Sequence, residues 1–208
     1  LSFDKAPLAG PIAFVSQSGT FGVSLSEIAG TKGYGLSKFI SIGNQGDLDA
    51  ADYLEYLASD EETKVLVFYI EGFKDGKRFM NLAREVVKQK PIVIYKAGRT
   101  SAGSKATQSH TASLAGSDEI FDAVCRQAGL IRVHETLHAF DVAEVLASQP
   151  LPPGRRVAIL GSGGQGVVTA DACASLGLEV PDLDDDTVRS LMAGLPPHAP
   201  RPNNPVDF

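Results

Sequence analysis

Cysteine is scarce in this chain of 208 residues, and the two present, Cys125 and Cys173, sit in apolar helical patterns without metal-ligand spacing. That excludes a disulfide framework and a cysteine-based metal site, and both read as buried free thiols of a reducing compartment. No apolar run approaches the ~20 residues of a membrane span, and Leu1 to Gly10 lacks the form of a signal peptide. A cytoplasmic protein with no membrane partner is the expectation. Positive charge is in deficit, with 19 Lys and Arg against 25 Asp and Glu. That balance excludes a broad basic surface for nucleic acid, so any small anionic ligand must be held locally. An initiating methionine is missing, and the chain stops at Asn203-Asn204-Pro205-Val206-Asp207-Phe208 with a domain unfinished. We expect an internal piece of a longer polypeptide.

What is present alternates. Ile12–Ser16, Leu36–Ile42, Val65–Ile70 and Pro91–Lys96 are short apolar runs rich in β-branched residues, and Leu130–Val133 is a fifth. Amphipathic stretches at about 23–31, 50–58, 76–89 and 137–147, and a capped helix starting over 117–124, separate them. Strand then helix with short connections predicts an α/β fold, a doubly wound parallel sheet with right-handed crossovers. Gln149-Pro150-Leu151-Pro152-Pro153-Gly154 cannot continue a helix and reads as a linker. After it, a strand at 156–160, a glycine turn and helices at about 167–176 and 187–195 restart the pattern. The domain expectation is therefore 1–149, a linker at 150–155, and 156–208 as the start of a second domain. Asp182, Asp184, Asp185 and Asp186 read as helix-start charges rather than metal ligands.

Two turns have the same form. Gln17-Ser18-Gly19-Thr20 follows the first strand and opens a helix; Gly163-Gly164-Gln165-Gly166 does the same after the linker. Unpaired backbone N–H groups and the positive end of the helix dipole make such a start a phosphate nest, unless Ser18 or Thr20 simply caps the helix. Gly161, Gly163 and Gly166 also satisfy a G-x-G-x-x-G pattern, a weak pointer to a dinucleotide oxidoreductase. Glu71 falls at the carboxyl end of the third strand, the edge where such sheets place ligands. His134, His138 and His198 lack partners at ligand spacing. His110 stands apart, in Lys105-Ala106-Thr107-Gln108-Ser109-His110-Thr111-Ala112-Ser113-Leu114-Ala115-Gly116 after the small, polar run 97–104. That composition predicts a mobile loop carrying a nucleophile, and neutral imidazole accepts phosphoryl groups.

Ser16-Gln17-Ser18-Gly19-Thr20, Gly43-Asn44-Gln45-Gly46-Asp47, Tyr69-Ile70-Glu71-Gly72, Ser109–Gly116 and Asn204-Pro205-Val206-Asp207 occur in that order. Together they resemble the NDP-forming acyl-CoA synthetase superfamily across essentially the whole chain. The resemblance implies a flavodoxin-like first domain and the start of a second one. It implies interconversion of acyl-CoA, ADP and phosphate with a carboxylic acid, CoA and ATP, by way of an acyl phosphate and a phosphohistidine. His110 would then carry the phosphate and Glu71 would orient its ring. The turns Gln17, Ser18, Gly19, Thr20 and Gly163, Gly164, Gln165, Gly166 would flank that phosphate. Implied cofactors are CoA, ATP or ADP, Mg²⁺ and phosphate, with no metal ligand in this chain. Implied partners are a CoA-binding Rossmann domain and an ATP-grasp domain, in the same chain or a separate subunit, within an oligomer that uses a small carboxylic acid. Family members often carry glycine where Ala112 stands, a change that stiffens the loop. The alternative is a regulatory acyl-CoA-binding relative without ligase chemistry, possibly fused to an acyltransferase.

Overall fold

The computed structural model describes residues 7–111, 117–196 and 198–207; of 108–111 it describes the backbone alone. The chain divides into two compact units, Leu1–Pro150 and Leu151–Phe208.

The first unit is a five-stranded parallel sheet. Its strands are β1 (Leu8–Ser16), β2 (Gly35–Ser41), β3 (Val65–Ile70), β4 (Ile92–Lys96) and β5 (Ile131–Val133), in the order β2-β1-β3-β4-β5. Between them run α1 (Gly19–Thr31), α2 (Ala50–Ala58), α3 (Gly76–Val86), α4 (Ser101–Thr111) and α5 (Asp118–Ala128), and α6 (Thr136–Ser148) closes the unit. Strand β3 explains the layering. With a side-chain period of two, Leu66, Phe68 and Ile70 point into one core with Leu54, Leu57, Phe79 and Phe121; Val65 and Val67 point into the other with Leu25, Phe140 and Ala143. Helices therefore cover both faces of the sheet. Each fully buried side chain of this size contributes about 2 kcal/mol.

Helix starts are fastened where the sequence offers an acid. Asp49 accepts from the N–H groups of Ala51 (2.8 Å) and Asp52 (3.1 Å), and Asp52 reaches back to the Asp49 N–H at 2.8 Å, a capping box. Asp75 accepts from Arg78 N–H at 2.9 Å to start α3.

The stretch expected to be a loop is instead helix α4 from Ser101 to Thr111. Gly103 donates to Thr100 Oγ1 at 3.1 Å, an N-terminal cap, and Ala102, Lys105 and Ala106 then favour helix although no apolar stripe marks it. Gly98, at φ 74°, makes the bend after β4; a Cβ there would meet Thr107 Oγ1 at 2.7 Å.

In the second unit, β6 (Leu160–Gly161) pairs in parallel with β7 (Val206–Asp207), and α7 (Gly164–Ser175) and α8 (Asp185–Gly194) complete it. The strand expected at 156–160 is thus much shorter. Before Leu160 the chain makes only an isolated bridge, Arg156 to Glu179, because no longer neighbour runs beside it among the described residues. Helix α7 starts three residues earlier than the pattern suggested, on Gly163 at φ 52°. Asp184 caps α8 through the Thr187 N–H at 2.8 Å, so this aspartate is a helix-start charge. Cys125 is buried and its thiol is pushed up to about 11 by that burial, whereas Cys173 is half-buried rather than buried.

Candidate functional site

In a 2-1-3-4-5 sheet the chain leaves the central strands in opposite directions, and a crevice opens between the carboxyl ends of β1 and β3. The residues there are Gln17 to Thr20 after β1 and Glu71 and Gly72 after β3.

Helix α1 begins without a side-chain cap: Ser18 has the extended backbone of an N-cap (φ −96°, ψ 119°), yet its hydroxyl makes no capping bond, and no acid lies in the first turn. The Ser18 carbonyl is used instead, accepting from Gly22 N–H at 2.9 Å and from the Ser16 hydroxyl at 2.7 Å. The positive end of α1 therefore faces the crevice with no side chain neutralising it, which favours an anion. Gly22 allows the helix to lie this close to β1; a Cβ would meet Ser16 Oγ at 2.7 Å.

Gln17 braces the end of β3. It is buried, its N–H donates to the Tyr69 carbonyl at 2.9 Å, and its Oε1 accepts from the N–H groups of Glu71 (2.8 Å) and Gly72 (3.1 Å). Its backbone N–H and Oε1 are therefore a bracket on the end of β3. Glu71 itself is 5% exposed, and its Oε2 has no hydrogen-bond partner among the described residues. An acceptor buried in this way costs free energy unless a donor meets it. Tyr69 below it has a phenol pushed up to about 12, first by burial and then by the Glu71 charge.

Strand β4 lies beside β3, with Lys96 level with Ile70, so the segment leading to His110 leaves the sheet next to Glu71. By its backbone, His110 belongs to the last turn of α4; its side chain and residues 112–116 lie outside the described residues. Both flanks of that segment are fixed. Before it, Thr107 Oγ1 donates to Gly103 O at 3.0 Å within α4. After it, Arg132, with its side chain 5% exposed, holds Asp118 through the carboxylate at 2.5 Å and the carbonyl at 3.1 Å, and Arg99 approaches the same carboxylate at 3.7 Å. Lys96 is buried beneath, its ammonium lowered by desolvation and 5.9 Å from the Phe121 ring centre.

In the second unit, Gly163 to Gly166 again form a helix start with no side-chain cap and no acid in the first turn. Here the turn is partly satisfied from within: Asp207 accepts the Gly163 N–H at 2.7 Å, Gln165 donates to Ser162 O and Gly166 to Gly163 O. Asn204 fastens the same corner, accepting from Ile159 N–H at 2.9 Å and donating to Val157 O and Pro181 O. The closing Asn204 to Asp207 motif thus holds the second glycine turn. Among the described residues no group of three His, Cys, Asp or Glu side chains is arranged to hold a metal ion, and no helix is long and apolar enough to cross a membrane.

The sheet order and the uncapped helix start at its switch point define a flavodoxin-like α/β unit with an unneutralised helix start at its carboxyl edge. Residues 9–146 match the succinyl-CoA ligase like flavodoxin domain, and the chain belongs to that family, within the NDP-forming acyl-CoA synthetase superfamily. It is 45% identical over 200 residues to the acetate–CoA ligase [ADP-forming] II subunit alpha of Pyrococcus furiosus, covering 96% of this chain and 43% of that one. It is 37% identical to the 4-hydroxybutyrate–CoA ligase [ADP-forming] of Nitrosopumilus maritimus, covering 97% of this chain and 29% of that one. Among solved structures, the dinucleotide forming acetyl-coenzyme A synthetase 1 of Ca. Korarchaeum cryptofilum, in complex with phosphate and ADP, superposes with a TM-score of 0.91 at 35% identity, over 99% of this chain and 45% of that one. The chain thus spans less than half the length of these relatives.

Proposed function

We propose that this chain is the phosphohistidine-bearing part of an ADP-forming acyl-CoA synthetase, in which His110 relays a phosphoryl group between an acyl phosphate and ADP. The observation that carries this reading is the buried Oε2 of Glu71, which has no hydrogen-bond partner among the described residues and is held at the switch point beside the segment that bears His110. A carboxylate in that position lacks only a donor, and an imidazole N–H supplies one. The names of the relatives, acetate–CoA and 4-hydroxybutyrate–CoA ligases, support the reaction class.

The steps balance as follows. A phosphate oxygen attacks the acyl-CoA carbonyl, the C–S bond breaks, and CoA leaves as the thiol, giving an acyl phosphate. A neutral ring nitrogen of His110 attacks phosphorus; the P–O bond to the acyl group breaks and its electron pair leaves with the carboxylate. The ring, now cationic, keeps its other N–H on Glu71, which offsets the charge and fixes the tautomer. Attack by a terminal oxygen of ADP then yields ATP and neutral His110. The start of α1, with Ser18, Gly19 and Thr20, stabilises the transferring phosphoryl group by its dipole; the start of α7, Gly163 to Gly166, is by itself a second helix start that favours phosphate. We assign 1–149 to a first succinyl-CoA synthetase-like domain and 156–208 to part of a second, a reading supported by the division of the chain at Pro150. CoA, the nucleotide and Mg²⁺ are assigned to a Rossmann and an ATP-grasp module, in the same chain or in a partner subunit.

The test is ATP formation from acetyl-CoA, ADP and phosphate by the full-length protein. Glu71→Gln is expected to lower the rate at least ~100-fold; a rate equal to wild type contradicts the assignment.

A further inference from the structure

Gln45 lies in the turn after β2, where the sequence marks only a run of turn residues. It is 3% exposed and has φ 55°, the sole non-glycine residue in the left-handed region among those described. A side chain other than glycine is strained there, and such strain persists only where other contacts enforce it. The contacts are specific. The Gln45 N–H donates to Ile42 O at 3.0 Å, its Oε1 accepts from Ala50 N–H at 3.1 Å, and its Nε2 donates to Gly72 O at 2.9 Å. From the other side, Gln17 Oε1 takes the N–H groups of Glu71 and Gly72. Two buried glutamines, from the turns after β1 and β2, therefore grip the dipeptide that carries Glu71, whose Oε2 has no partner among the described residues. Both of its amides and the Gly72 carbonyl are bonded to side chains rather than to water.

The capping box of Asp49 and Asp52 serves the N–H groups of Asp49, Ala51 and Asp52, so Gln45 Oε1 takes the remaining Ala50 N–H and, through Nε2, ties the start of α2 to Gly72. We propose that Gln45, together with Gln17, is a positioning residue that fixes the direction of the Glu71 carboxylate and, through it, the orientation of the His110 ring. This rests on the phosphohistidine reading above. The glutamines touch no reacting atom; they limit the rotation of the segment that presents the carboxylate, and small misplacements of such groups slow group transfer strongly.

A double-mutant cycle tests it in the full-length protein, reading the rate of acid-labile, base-stable label transfer from γ-labelled ATP. Gln45→Gly relieves the backbone strain while removing the grip. Gln45→Glu keeps size and shape but turns the donor to Gly72 O into an acceptor. Each is expected to slow labelling at least tenfold with half-saturating ATP unchanged. Combined with Glu71→Gln, Gln45→Gly is expected to slow labelling less than twofold further, because the residue acts through Glu71. Wild-type labelling in either Gln45 variant, or losses that multiply in the combined variant, overturns the proposal. Wild-type labelling in Glu71→Gln alone removes the reading beneath it and the proposal with it, and is told apart because it appears without any change at Gln45.

Discussion

The two units are held together by different means. In the first, strands β1, β3 and β4 are covered on both faces, and Phe14, Phe68, Leu54, Leu57 and Phe140 are fully buried. In the second, Ile159 and Val188 are the buried hydrophobic residues among those described, while Leu160, Val168 and Leu176 are exposed, Leu176 at 78%. Its corner is fastened by polar side chains, with three bonds from Asn204 and one from Asp207. Apolar burial gives the first unit a stiff frame, and the strained Gln45 turn is affordable only on such a frame. The second unit specifies one glycine turn by hydrogen bonds and leaves apolar side chains of α7, Val167 and Val168, exposed.

That difference can be broken at several points. Phe68→Ala should have the largest effect, destabilising the first unit by about 3–5 kcal/mol in urea unfolding through cavity formation. A loss under 1 kcal/mol would mean that the core is less tightly packed than described. Asn204→Ala should cost about 1–3 kcal/mol by leaving the Ile159 N–H and two carbonyls without their partner, read as faster amide exchange at Ile159. Unchanged exchange would show that the corner does not depend on it. Leu176→Ala should change stability by less than about 0.5 kcal/mol, since its side chain contacts little; a larger loss would reveal a covered face. The smallest effect is chemical. At pH 8, iodoacetamide should modify Cys173 before Cys125, whose buried thiol is pushed up to about 11 and whose reactive thiolate is correspondingly rare. Equal labelling by mass spectrometry would erase the contrast.

The sheet was legible because its signal is local. The continuous run Val65–Ile70 is read as a buried strand from six consecutive residues, and β3 has those bounds. Helix α4 was missed because its signal is a single cap, Thr100, followed by small residues with no apolar stripe. At 156–160 the run has strand composition, but a strand requires a neighbour, and composition does not say how long that neighbour is. Glu71 was legible from its place at a strand end. The bracket role of Gln17 and the grip of Gln45 were not, because they depend on bonds between residues 54 and 27 positions apart in the chain. A glutamine in a turn looks the same whether it faces water or a buried backbone.

The central claim is that His110 carries the phosphoryl group beside Glu71. The most direct measurement is to incubate the full-length protein with Mg²⁺ and γ-labelled ATP and locate the label by mass spectrometry, with His110→Ala in parallel. Acid-labile, base-stable label on the peptide containing His110, absent from the variant, is the predicted result. Undiminished labelling in His110→Ala, or no label in a wild-type protein that still binds ATP, would contradict it.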